Sequence, residues 1–171
     1  DMVKTIINEV ESKDDISLVE MLASKIWHEH YRPIIGREQV VYMLNKYQTT
    51  PAIKRQIQDG ANYHLMFEQS HPVGYFCYHY ENDSLFLSKI YVAKEVRGKG
   101  IGRKALDFIF EQAKSKSATA IRLTVNKFNL ETIAAYKKLG FETIDSVVKD
   151  IGGGFVMDDY VMEKAVIKKA V

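Results

Sequence analysis

The chain has 171 residues, 46% hydrophobic and 27% charged, which is near the average for a folded globular protein and excludes collagen-like, disordered and coiled-coil readings. Lys and Arg total 24 against 22 for Asp and Glu, so the formal charge is only +2 and composition gives no support to a nucleic-acid partner. The lone Cys77 cannot form an internal disulfide, no Cys/His zinc spacing occurs, and no apolar run approaches the ~20 residues of a membrane span.

A polar start without the apolar stretch of a signal peptide, with Asp1 ahead of Met2 read as an expression remnant, leads to the expectation of a cytoplasmic protein without a membrane partner. No repeat, low-complexity tract or Pro/Ser linker divides the sequence, so residues 1–171 are expected to form a single domain.

Thr5 to Val10 alternates and reads as a first strand. From Asp14 or Asp15 to about His30 the period is helical, with Ile16, Val19, Leu22, Ala23 and Ile26 on one face behind acidic residues suited to a helix N-terminus. Gly36 to Tyr47 predicts a second helix, and Pro51 marks the start of a third that ends near Gly60. Asn62–Gln69, Pro72–Tyr80 and Ser84–Val92 are rich in Tyr, Phe, Leu and Val and separated by polar turns, the pattern of an antiparallel meander. Ile101, Ala105, Phe108, Ile109 and Ala113 return to helical spacing. A strand at Ala120–Val125 follows, then a helix at about Leu130–Leu139 with Gly140 as its cap, and strands at Phe141–Val148 and Phe155–Ala165. The order β-α-α-α-β-β-β-α-β-α-β-β predicts a mixed α/β sheet of about seven mostly antiparallel strands flanked by helices on both faces. The helical crossover from Ser84–Val92 to Ala120–Val125 permits one parallel pair.

The most informative segment is Val96-Arg97-Gly98-Lys99-Gly100-Ile101-Gly102-Arg103, which follows an apolar strand and opens a helix. Glycines allow close backbone approach and positive φ, and successive N–H groups at a helix N-terminus bind anionic oxygens. Arg97, Lys99, Arg103 and Lys104 add local positive charge, so a diphosphate-bearing cofactor fits. A Walker loop is absent. The dinucleotide fingerprint fails as well: seven residues separate Val92 from Gly100, and Ala120–Val125 holds no acid for a ribose.

The arrangement resembles the GNAT acetyltransferase superfamily. Its coenzyme A signature, Arg/Gln-x-x-Gly-x-Gly/Ala, is matched by Arg97-Gly98-Lys99-Gly100-Ile101-Gly102, behind the strand Leu85–Val92. Its second block, Asn-x-x-Ala-x-x-x-Tyr-x-x-x-Gly-Phe, is similar to Asn129–Phe141, with Thr132 or Ile133 near the usual small residue as the departure. The resemblance implies the GNAT acyl-CoA N-acyltransferase fold and acetyl-coenzyme A as cosubstrate, without a metal. It further implies that the backbone of Ile90, Tyr91 and Val92 holds the pantetheine arm as an added strand. Amides from Gly98 through Lys99, Gly100, Ile101 and Gly102 to Arg103, following Arg97, would hold the pyrophosphate, and Asn129 would contact the cofactor. Relatives splay the two strands beside that arm, opening a slot where a backbone amide polarises the acetyl carbonyl.

The implied chemistry is direct transfer: a neutral amine attacks the thioester and Tyr136 protonates the leaving thiolate, a role open to a phenol that keeps its proton at neutral pH. Many relatives place a glutamate on the strand before Asn129, which here reads Ile121-Arg122-Leu123-Thr124-Val125, so deprotonation is left open to another acid (Glu29, His28, Glu81, Asp83, Asp158 or Asp159), an ordered water chain or the fraction of free amine in solution. The segments Ser24–Gly36 and Gly154–Tyr160 combine aromatic and acidic residues suited to a cationic amine. They look like the bacterial spermidine/spermine N-acetyltransferase branch, which implies a small polyamine acceptor. The alternatives are an acetyltransferase of protein or peptide amines and a non-catalytic acetyl-coenzyme A-binding module. His28 and His30, at i and i+2 of a helix, do not converge on a metal. Cys77 reads as strand packing, and Lys164, Lys168 and Lys169 as a solvated basic end. Pairing of relatives through their sheets makes a homodimer one expectation that the resemblance carries.

Overall fold

The computed structural model describes residues 4–166, and the expectations for Asp1, Met2, Lys168 and Lys169 lie outside them. The elements follow the expected order: β1 Thr5–Glu9, α1 Lys13–Ile35, α2 Arg37–Tyr47, α3 Thr50–Gln58, β2 Asn62–Glu68, β3 His71–Glu81, β4 Ser84–Val92, a 3-10 turn Lys94–Val96, α4 Ile101–Ser115, β5 Ala120–Asn126, α5 Leu130–Lys138, β6 Glu142–Gly152 and β7 Phe155–Ala165. The hydrogen-bonded strand order is β1-β2-β3-β4-β5-β7-β6. Antiparallel ladders join β1 to β2, β2 to β3, β5 to β7 and β6 to β7, whereas β4 and β5 run parallel. The parallel pair is possible because α4 carries the chain back across the sheet.

The chain forms two compact units. One holds the chain up to His79 together with Lys89–Phe108. Its core is made by the apolar stripe of α1, namely Ile16, Val19, Leu22, Ala23, Ile26 and Trp27, packed with Val40, Ile53, Tyr63, Leu65, Tyr75 and Cys77. The i, i+3, i+4, i+7 spacing of that stripe makes the helix one-sided. A capping box starts it: Ser12 Oγ accepts from the Asp15 amide at 3.1 Å, and Asp15 accepts from the Ser12 amide at 3.1 Å. The amides of Glu11 and Ser12 hold the Asp15 carboxyl below its ordinary range.

Helix α1 runs five residues past the expected end at His30, straight through Pro33. Pro33 lies so near the end that its missing N–H removes one hydrogen bond from the last turn only, and Gly36 closes that turn by donating to the Arg32 carbonyl at 3.0 Å. Trp27 lies in this core and Tyr31 packs against it, the packing role that stood beside an acceptor-facing one for both residues. Trp27 Nε1 donates to Tyr75 Oη at 3.0 Å, and Tyr31 Oη meets Tyr91 Oη at 2.9 Å.

The second unit holds Tyr80–Ser88 and the chain from Ile109 onward. Leu85, Leu87, Ile109, Ala113, Ile121, Leu123, Val125, Ile133, Phe141 and Met162 are buried there. The β4–β5 ladder within it covers Ser84↔Ala120, Leu85↔Ile121 and Phe86↔Arg122, whereas β5 pairs with β7 along its whole length to Asn126↔Asp159. Gly140 follows α5, and the Phe141 amide donates to the Tyr136 carbonyl at 3.0 Å.

Candidate active site

The first unit carries Ile90, Tyr91, Val92 and the whole loop from Arg97 to Arg103. Beyond β4, Ala93 donates to the Val73 carbonyl at 2.7 Å, and the turn Lys94–Val96 reverses the chain. Arg97 Nε reaches back to the Val92 carbonyl at 3.1 Å, clipping the loop to the strand end. Gly98 and Gly100 sit at φ +82° and +80°, conformations that side-chain-bearing residues rarely adopt. Ile101 and Ala105 are buried and anchor the start of α4. Among the described residues, no backbone carbonyl accepts from the amides of Gly98, Lys99, Gly100, Ile101, Gly102 or Arg103; the first bond of the helix is Lys104 to the Gly100 carbonyl at 3.1 Å. The loop therefore exposes consecutive donors at the positive end of a fifteen-residue helix, a donor set suited to phosphate oxygens. Lys99 also pairs with Glu68 at 3.8 Å.

The strand before the loop is tightly set. Tyr91 packs edge-on against Trp27 and Tyr31 at centroid distances of 5.6 and 5.9 Å, and lies 5.5 Å from Tyr75. A Cβ on Gly74 of β3 would collide with the Tyr91 carbonyl oxygen, so the two backbones approach there as only glycine permits. Lys89, which the sequence reading passed over, puts its ammonium 5.7 Å from the centroid of the Tyr63 ring, and burial pushes it below the ordinary lysine range. Its signal in the sequence is a lone cation inside the otherwise uncharged run Ser84–Val92.

Asn129 and Tyr136 lie in the second unit. Asn129 is buried at the N-terminus of α5, and its amide donates to the Asn126 carbonyl at 3.0 Å. Tyr136, half-buried on α5, meets the Phe141 ring edge-on at 5.4 Å. The listing of acids narrows here: Glu29, Glu81 and Asp83 are exposed, and Asp158 pairs with Lys127 at 2.8 Å. Asp159 is buried, and its carboxyl is pushed up to about 6 by loss of hydration and by the neighbouring Asp158. Among the described residues, no three His, Cys, Asp or Glu side chains are grouped to hold a metal ion, and no helix is long and apolar enough to cross a membrane.

The model of the acetyltransferase (GNAT) family matches residues 24–141. An uncharacterised N-acetyltransferase of Bacillus subtilis, YobR, is 35% identical over 95 residues, covering 48% of this chain and 38% of that protein. The thialysine N-epsilon-acetyltransferase of Bos taurus is 34% identical over 77 residues, covering 42% of this chain and 45% of that protein. The matched region thus spans less than half the length of either relative. The PaiA N-acetyltransferase of Thermoplasma acidophilum, solved in complex with coenzyme A, superposes with a TM-score of 0.77 at 22% identity, covering 95% of this chain and 99% of that one, a likeness of fold. With more than half of its residues inside the family match, this chain belongs to the GNAT acetyltransferase family.

Proposed function

We propose that this protein is an acetyl-coenzyme A-dependent N-acetyltransferase that transfers an acetyl group directly to a small aliphatic primary amine, with spermidine or spermine as the type of acceptor. The observation that carries the reading is the run of amides from Gly98 to Arg103 without backbone acceptors, placed directly after β4. In this reading those amides, with Arg97 steadying the loop, hold the pyrophosphate, and the backbone of Ile90–Val92 receives the pantetheine arm. Asn129 contacts the cosubstrate. Tyr136 gives its phenolic proton to the sulfur as the carbon–sulfur bond breaks, so that coenzyme A leaves as a thiol. The names of the mammalian relatives, which act on the amine of thialysine, support a primary-amine acceptor, and the coenzyme A complex of the Thermoplasma structure supports the cosubstrate. The buried, single Cys77 supports a reducing, cytoplasmic setting.

Thiol-release kinetics with polyamines, amino acids, aminoglycosides and peptides test the reading. Polyamines are expected to react with the highest kcat/KM; reaction with peptides alone would transfer the proposal to a protein acetyltransferase. Tyr136→Phe is expected to lower kcat by about 100-fold while acetyl-coenzyme A still binds. Unchanged turnover would remove Tyr136 from the mechanism.

A further inference from the structure

We propose that Asp159 is the general base of this reaction, accepting the proton of the attacking amine from the face of the sheet opposite the Tyr136 helix. The inference rests on the acetyl-transfer reading above and assigns the one role in it that the family motifs leave empty.

The second unit supplies the geometry. On β7, Asp158, Tyr160, Met162 and Lys164 alternate with Asp159, Val161 and Glu163, so the two sets point to opposite faces. The first set faces the helices: Lys164 Nζ donates to the Leu139 carbonyl beyond α5 at 2.6 Å and lies 4.7 Å from the centroid of the Phe110 ring on α4. Asp159 therefore belongs to the other face, opposite Asn126, the last residue of β5, and opposite Val147 of β6. The chain leaves β5 at that point and enters the Asn129 turn and α5. Ligands of open sheets with parallel pairs gather at the carboxyl ends of such strands, and β5 is a member of the parallel pair.

Lys127, whose charge partly offsets the rise in the proton affinity of Asp159, is paired with Asp158 on the far face of β7 at 2.8 Å and lies 5.5 Å from the centroid of the Tyr160 ring. On the Asp159 face, Arg122 of β5 is taken by Glu163 at 3.7 Å, and β6 presents Asp145 and Lys149 two residues to either side of Val147. Among the described residues, Asp159 accepts no hydrogen bond and forms no ion pair, although only 9% of its surface is exposed. A buried carboxylate kept without a partner is costly to folding, and such groups gather where chemistry needs them. Its elevated proton affinity, near pH 6, suits a base that must be ionised at neutral pH yet take up a proton readily.

The amine nitrogen lone pair forms a bond to the thioester carbonyl carbon as the carbonyl π pair moves onto oxygen, giving a tetrahedral oxyanion whose nitrogen is cationic and far more acidic than a free ammonium. Its proton passes to an Asp159 carboxylate oxygen. The oxygen pair then re-forms the carbonyl as the carbon–sulfur bond breaks, the bond's electron pair goes to sulfur, sulfur takes the Tyr136 proton, and the phenolate regains a proton from water. Asp159 returns its proton to water after the amide leaves.

The test is the pH profile of kcat/KM for acetyl transfer by the full chain, with acetyl-coenzyme A binding followed separately by calorimetry. The unmodified protein is expected to lose activity on acidification with an apparent pKa near 6 beyond the loss due to amine protonation. Asp159→Asn is expected to lower kcat by about 100-fold, to abolish that limb and to bind acetyl-coenzyme A within about twofold of the unmodified protein. Asp159→Glu is expected to restore part of the rate together with the limb. Wild-type turnover with an intact limb in Asp159→Asn would overturn the proposal while leaving the acetyl-transfer reading standing; absence of transfer to any amine by the unmodified protein would remove both. Should Asp159→Asn fail to fold, the wild-type profile decides, and a profile without a limb between pH 5 and 7 would overturn the assignment.

Discussion

Asp159 shows most clearly how one residue trades stability for a task. Its carboxyl releases its proton near pH 6 in the folded chain against an ordinary value of 3.8, so the native state binds the proton more tightly than the unfolded state does. Stability must then fall as pH rises from about 4 to 6, and the full deficit, roughly 3 kcal/mol, is present at neutral pH. Asp159→Asn is therefore expected to be more stable than the unmodified protein at pH 7.5 and equal to it at pH 4, measured by urea denaturation at both values. A variant no more stable at pH 7.5 would contradict the burial argument. At this scale the sequence exposes some residues and hides others. Arg97, the loop glycines, Asn129 and Tyr136 stand at fixed spacings that can be read along the chain. Asp159 is only one of several candidate acids in the sequence, because what singles it out, the turning of Lys127 to the far face of β7, depends on cross-strand register. Lys89 is hidden for the same reason: only the strand order, with β3 between β2 and β4, brings its ammonium on β4 to the Tyr63 ring on β2.

Elements were legible wherever periodicity met a punctuation residue. β4 and β7 fall at the expected bounds, with the polar turn Glu81-Asn82-Asp83 ahead of β4 and Gly152, Gly153 and Gly154 ahead of β7. The misjudged end of α1 has a different cause: a proline usually ends a helix, but the packing of the turns before it and the Gly36 closure outweigh one missing hydrogen bond. The contact between β3 and β4 at Gly74 makes the cosubstrate strand depend on its neighbour. Gly74→Ala would push a methyl into the Tyr91 carbonyl and toward Val92 Cα. It is expected to cost about 1–3 kcal/mol of stability and to weaken acetyl-coenzyme A binding, both read by thermal denaturation and calorimetry. Unaltered binding would detach Ile90–Val92 from the pantetheine arm. Beneath the same sheet, Gln48 ties three helices to two strands. Its Oε1 accepts from Tyr75 Oη at 2.6 Å and its Nε2 donates to Tyr63 Oη at 3.0 Å, while Tyr63 donates in turn to Gln56 and Trp27 donates to Tyr75. Gln48→Ala leaves the buried Tyr75 hydroxyl proton without its acceptor and takes one donor from Tyr63, and is expected to destabilise the protein by about 2–4 kcal/mol in denaturant titration. A loss under 1 kcal/mol would show that the network adds little.

For the whole molecule, strand order was readable because the period of the hydrophobic pattern changes sharply at the meander and again at Ile101, and because a full helix between β4 and β5 permits a parallel pair. The placing of β7 between β5 and β6 was not readable, since both possible neighbours of β5 present similar alternation. All of the functional reading depends on one physical claim: the unpaired run of amides at the head of α4 is built for phosphate oxygens. Backbone amide resonances of the 15N-labelled chain, followed while coenzyme A is added, test it most directly. The account predicts that the Gly98, Lys99, Gly100, Ile101, Gly102 and Arg103 signals move together and saturate. Signals that stay in place through the titration would contradict it.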